Sequence, residues 1–279
     1  MATFNISKDD EFLDRSEGQA AKFYIPQPLS RIHDLLQREK KPLTSTMLPP
    51  VARARFERLI TMFDLGDPDT LRLEMSKCCA IISGSAALYV FHPNAFTPGD
   101  VDFYVPHSTA NRFICSLHDR GFFDNSADDK KATYPSREIV AVSRFWKRGN
   151  ARSINLIITQ SVNPLAVVVQ FHSTLLMNAI TGRGVICLYP LLTLPGRSVM
   201  MVDTPKARKC FAKYGRRGFR FQSIFASHEC LSSAYCRNAR RSLEDGDVLS
   251  VTFQYQPQSM NAAIHGLTPF HWQLGPMRS

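Results

Sequence analysis

Ile82-Ser83-Gly84-Ser85-Ala86-Ala87-Leu88, followed after a 14-residue interval from Ser85 by Asp100-Val101-Asp102-Phe103-Tyr104-Val105, is the stretch whose reading decides the fold. The apolar run over residues 78–83 reads as a buried strand, and Gly84-Ser85 turns it into a short helix ending near Phe91. Residues 101–105 read as a second strand. Side chains alternate along a strand, so Asp100 and Asp102 share one face while Val101 and Phe103 enter the core on the other. Two carboxylates on one face repel each other unless a cation or water reaches both. Mg²⁺ takes oxygen ligands and commonly uses one or two carboxylates together with substrate phosphates. Backbone N–H groups at the Gly84-Ser85 turn form a phosphate site at a helix N-terminus, where glycine permits close approach and Ser85 supplies a hydroxyl.

Working outward, residues 51–65 carry apolar side chains at helical spacing (Val51, Phe56, Leu59, Ile60, Phe63), and Asp67-Pro68-Asp69 supplies a break or a helix start. Residues 94–99 form a loop, and Ser108 is the expected N-cap of a helix ending near Gly121. Residues 124–136 are polar and expected to be exposed. Strands are predicted over 137–145 and 152–159, joined through Lys147-Arg148-Gly149-Asn150, whose Gly-Asn pair suits a hairpin turn. Asn163-Pro164 fits a helix start, 185–189 a strand, Thr204-Pro205 the opening of a basic helix to about Tyr214, and 248–255 a last strand. These elements predict an α+β chain with a mixed sheet and flanking helices. The expected divisions are an N-terminal arm over 1–50, a core over 51–182, a basic region over 183–255 packed on it, and a loose tail over 256–279.

The 279 residues are 44% hydrophobic and 21% charged, which excludes collagen-like or wholly disordered chains. The longest apolar runs fall far short of the roughly 20 residues that span a bilayer, so no membrane helix is expected. The first ten residues lack both a basic start and an apolar run, and seven scattered cysteines suit reduced thiols better than a disulfide framework. A cytoplasmic or nuclear location is the expectation. The net charge of +10 favours a polyanionic partner, and it is unevenly placed. Residues 1–150 carry 20 basic and 19 acidic side chains, whereas 151–279 carry 14 and 5. The excess peaks at Lys206, Arg208, Lys209, Lys213, Arg216, Arg217 and Arg220, with no acidic residue between Thr204 and His228. Phosphate binding is the functional reading of this segment, with Phe219 and Phe221 offered for base stacking.

A strand ending in Gly84-Ser85, a short helix, and a strand carrying Asp100-Val101-Asp102 resemble the polymerase-β-type nucleotidyltransferase superfamily. With Lys213-Tyr214-Gly215-Arg216-Arg217-Gly218-Phe219, the segments are also similar to uncharacterised fungal nucleotidyltransferase-like proteins, over roughly residues 75–220. The resemblance implies that Gly84 and Ser85 hold a nucleoside triphosphate, with Lys213, Arg216 and Arg217 (and Lys206 and Lys209 beside them) neutralising phosphates. It implies that Asp100 and Asp102 are the catalytic residues and bind the metal, Mg²⁺ or Mn²⁺. The implied reaction is transfer of a nucleoside monophosphate to a hydroxyl acceptor with loss of pyrophosphate, and nucleic acid is a further implied partner.

Active members of that superfamily carry a third carboxylate on a later strand. The matching strand here is Arg152 to Ile158, and its polar position is Asn155, which is neither an anionic ligand nor a base. The alternative expectation is therefore a catalytically silent relative that binds nucleotide or nucleic acid; Glu138, near the start of a neighbouring strand, is the other carboxylate to consider. Several further motifs have plainer readings. Asp245-Gly246-Asp247 reads as a turn, His228-x-Cys230-x₅-Cys236 is too irregular for zinc, and His172 reads as a satisfied structural histidine. Ser83-Gly84-Ser85-Ala86-Ala87 lacks the paired glycines of a Gly-x-Ser-x-Gly hydrolase nucleophile elbow.

Overall fold

The computed structural model describes residues 48–124, 137–222, 239–254, 267 and 269–274. It is an α+β structure with, among the described residues, seven α-helices and an eight-stranded mixed sheet. The helices are α1 (Leu48–Met62), α2 (Pro68–Lys77), α3 (Gly84–Phe91), α4 (Ala110–Asp119), α5 (Leu165–Val168), α6 (Pro190–Thr193) and α7 (Pro205–Gly215). The main sheet is built from β1 (Ile81–Ser83), β2 (Asp100–Pro106), β3 (Phe122–Asp124), β4 (Ile139–Lys147), β5 (Ser153–Thr159), β6 (Asn178–Ile180), β7 (Gly184–Cys187) and β11 (Leu249–Thr252), in the order β11-β7-β6-β1-β2-β5-β4-β3. Two small sheets pair β8 (Arg197–Val199) with β9 (Arg220–Gln222), and β10 (Arg241–Ser242) with β12 (His271–Trp272). The stretch after residue 183 thus contributes β7 and β11 to the main sheet, and Trp272, near the C-terminus, is buried.

Local chemistry explains the elements around the site. Asp67 caps α2 by accepting from Thr70 N at 2.7 Å, Pro68 occupies the first turn, and Lys77 lies in the last. Cys78 is the C-cap of α2 and Cys79 has φ of 51°, so the strand begins only at Ile81, not at Cys78 as the apolar run suggested. Helix α4 starts after a 3₁₀ turn over His107–Thr109 and not at a Ser108 cap; Thr109 turns its hydroxyl to Cys78 O at 2.6 Å. A helix does start here, but its N-cap is Pro164 where Asn163 was expected; Asn163 accepts from Leu165 N at 3.1 Å, and α5 is four residues long. Strand β6, adjacent to β1, has no counterpart among the sequence expectations.

One sheet face packs Val101, Phe103, Ile154 and Leu156 against α1, α2, α3 and α4, in the largest apolar cluster. The opposite face buries Tyr104 and Ile157 with Leu165 and Val168 of α5 and Leu192 of α6. Helix α3 is buried from Gly84 to Val90, so apolar side chains surround it. At the β6–β7 turn, Gly182 lies against α2: a Cβ there would stand 2.3 Å from Arg72 O and 2.9 Å from Ser76 N, while Arg72 Nε donates to Gly182 O at 3.0 Å. Gly182→Ala is expected to destabilise the fold by roughly 1–3 kcal/mol through this backbone clash; urea unfolding would show a lower midpoint at unchanged slope.

Candidate functional site

Strands β2 and β5 pair in parallel with Asp100 opposite Ser153 and Asp102 opposite Asn155. Strand β1 pairs antiparallel with β2 on the other side, with Ser83 opposite Asp102. Asp100, Asp102 and Asn155 therefore meet on one face beside the turn into α3. Asn155 Nδ2 donates to Asp102 Oδ1 at 2.7 Å and to Asp100 Oδ2 at 3.4 Å, and Arg144 Nε donates to Asn155 Oδ1 at 3.1 Å.

Gly84 makes this meeting possible. Its φ of 68° lies in the left-handed region, and a Cβ there would stand 2.8 Å from Asp102 Oδ2. Ser83 precedes the helix, but its hydroxyl is bonded to Asn178 O at 2.6 Å, so no side chain caps the first turn of α3. The hydroxyl of Ser85, two residues on, makes no hydrogen bond among the described residues.

Helix α7 stands over the same site. Thr204 caps it through a bond from Ala207 N, and it buries Ala207, Phe211 and Tyr214. Tyr214 packs with Leu88 of α3 and with Phe219. Burial raises the Tyr214 phenol, Arg217 opposes the shift, and the charges of Asp102 and Asp100 reach it. Arg217 lies 4.3 Å over the Phe96 ring and 5.0 Å over Tyr214, and its Nη1 is buried without a partner among the described residues. Lys213 is exposed, and its charge acts on Asp102. Arg216 is exposed at the C-cap of α7, and no contact among the described residues ties it to the carboxylates.

The basic segment is thus divided. Arg208 is held by Asp203 through bonds of 2.6 and 2.8 Å. Lys206 acts on His172, one end of the helix away from Lys213. Phe219 is buried against Tyr214 and His92, and Phe221 packs on Phe211, so the stacking surface expected of this pair does not form. His172 packs beside Phe211 but is not satisfied: Nε2 has no partner among the described residues, and burial together with Lys206 lowers its pKa to about 4. Asp245 forms the expected turn, accepting from Ser242 N and Asp247 N and pairing with Arg241. His228, Cys230 and Cys236 lie outside the described residues; the five described cysteines are free.

Glu138 lies away from Asp100 and Asp102. Its backbone oxygen accepts from Gln160 N, beyond the far end of β5, and β5 places Thr159 roughly 13 Å from Asn155 at about 3.3 Å per residue. Arg144, the functional neighbour that sequence reasoning missed, sits on β4 opposite Asn155. Its signal was a cation between Ser143 and Phe145, inside a strand that is apolar from Ile139 to Val142. Among the described residues no cluster of three or more His, Cys, Asp or Glu side chains is placed to hold a metal ion, and no helix is long and apolar enough to cross a membrane.

Asp102 is half-buried and its pKa is raised to about 6. Desolvation is the main cause, the Asn155 hydrogen bond opposes it, and repulsion from Asp100 adds to it; Lys213 and Arg144 pull it back. Comparisons with protein-family models, curated proteins and solved structures return no match.

Asp102 has a folded-state pKa above its unfolded value, so the native state holds more protons between about pH 4 and pH 6 and loses stability as pH rises through that window. Partial solvent exposure reduces the full linkage value to about 1–2 kcal/mol. Asp102→Asn keeps an acceptor for Asn155 Nδ2 and removes the charge. It is expected to exceed wild type in urea stability by about that amount near pH 7.5 and to match it near pH 4.

Proposed function

We propose that this chain is a nucleotidyltransferase-like module that binds a nucleoside triphosphate with a divalent cation and transfers the nucleotide slowly or not at all. The observation that carries the reading is Asn155, which lies against both Asp100 and Asp102 where a third carboxylate would complete the acidic site. The donor chemistry suits one hard cation: two carboxylates on one face, one of them disfavoured as an anion by its surroundings. Such an ion would neutralise the phosphates and polarise the α-phosphoryl group.

The chain's own residues account for the rest. The uncapped first turn of α3 offers N–H groups and the free Ser85 hydroxyl to phosphate oxygens. Lys213 of α7, and Arg217 just after it with an Nη1 that is unpartnered among the described residues, supply positive charge. In-line transfer also needs the attacking hydroxyl to lose its proton. A third carboxylate would help hold an ion on that side and accept the proton, and an amide does neither.

A second reading, active transfer, is favoured by the same-face pair Asp100 and Asp102 beside an open helix turn. One set of measurements separates the two. Calorimetric titration with a non-hydrolysable nucleoside triphosphate and Mg²⁺ is expected to show binding that weakens about tenfold or more in Asp100→Ala and Lys213→Ala, a change of about 1.4 kcal/mol. Wild type is expected to transfer no label from an α-labelled triphosphate to candidate acceptors, and Asn155→Asp to gain Mg²⁺-dependent transfer. Robust wild-type transfer abolished by Asp100→Ala favours the active reading; nucleotide affinity indifferent to Asp100→Ala and Lys213→Ala sinks both.

A further inference from the structure

Asn155 is held in one orientation from both sides. A guanidinium carries only donors, so the amide atom 3.1 Å from Arg144 Nε is the oxygen. Ionised carboxylates carry only acceptors, so the amide nitrogen faces Asp102 and Asp100. The N–H groups of Asn155 consequently fill the space between the two carboxylates with the positive end of a dipole. A divalent cation entering there meets N–H groups and no third oxygen. Half a turn of the amide would present Oδ1 to the cation, but it would also set the NH₂ group against the donors of Arg144. Arg144 is exposed on β4 and rests over the Trp146 ring at 5.9 Å, so the guanidinium is steadied without being part of the apolar core.

We propose that Arg144 is a positioning residue that weakens divalent-cation binding at Asp100 and Asp102 by fixing Asn155 with its donor toward them. This rests on reading the two carboxylates as a cation site. The lock leaves the carboxylate pair partly neutralised by the protein's own groups and makes the bound ion easy to lose. Releasing it lets the amide oxygen become a third ligand.

Mn²⁺ titration of the full chain, read from the free-ion electron paramagnetic resonance signal, tests the lock without recourse to activity. Arg144→Met keeps a chain of similar length over Trp146 and removes the donor; it is expected to tighten Mn²⁺ binding roughly tenfold, the scale of one hydrogen bond from a charged donor. Removing a positive charge also tightens binding, so the same substitution is made in the Asn155→Ala background, where only the field effect survives and a gain of about threefold or less is expected. Equal gains in the two backgrounds overturn the lock. Wild-type Mn²⁺ binding that is lost in Asp100→Ala but unchanged by Arg144→Met overturns the lock and leaves the cation site standing. Binding by the Arg144→Met variant that survives Asp100→Ala, or no binding by that variant at all, overturns both.

Discussion

Because β2 and β5 pair in parallel with Asp102 opposite Asn155, two strands separated by 46 residues bring their polar positions to the same face of the sheet. Adjacent strands lie about 4.8 Å apart, close enough for an amide on one to reach a carboxylate on the next. A slip of one residue would turn Asn155 into the apolar cluster and Leu156 onto the polar face. The register is held by Val101, Phe103, Ile154 and Leu156, which pack together against the helices on the other side. Apolar burial behind the sheet thus fixes the polar geometry in front of it.

The same constraint explains Gly84 and the placement of α3. Strand β1 delivers the chain to within contact of Asp102, and any larger residue at position 84 would push against the carboxylate. Ser83 is drawn away to Asn178, which leaves the first turn of α3 without a side-chain cap and ties β1 to β6. Leu88, one turn further, packs with Tyr214, so the helix that starts at the site also anchors the helix whose Lys213 acts on Asp102. Charge and fold are joined through that contact. Of the basic segment, the residue whose charge acts on Asp102 is Lys213, on the last turn of α7, whereas Asp203 takes up Arg208 and Lys206 lies toward His172.

Much of this was legible along the chain. Period-2 alternation in Asp100 to Val105 placed both carboxylates on one face, and the Gly84-Ser85 turn, the 147–150 hairpin turn and the Thr204-Pro205 helix start carried their own local chemistry. The misread elements lacked such signals or carried misleading ones. Cys78 and Cys79 are apolar, like a strand, yet close α2 because their backbone bonds to Glu74 and Ser76. Ser108 looked like a cap, but the helix waits for a 3₁₀ turn. Strand β6 is three residues long, too short to show a period. Phe219 looked available for stacking because its neighbours are basic, and burial against Leu88 and Tyr214 is a long-range fact.

By itself the sequence determined the α+β composition of elements, the shared face of Asp100 and Asp102, the glycine at the strand-to-helix turn, and an amide at position 155. Each follows from local steric and periodic rules that act over a few residues. Only the tertiary structure decided that Asn155 turns its donor toward the carboxylates, that Arg144 holds it there, that Glu138 lies too far away to replace it, and which basic residues face the site. Those outcomes depend on strand order and register, and these are set by how the apolar faces pack together across residues distant in the chain.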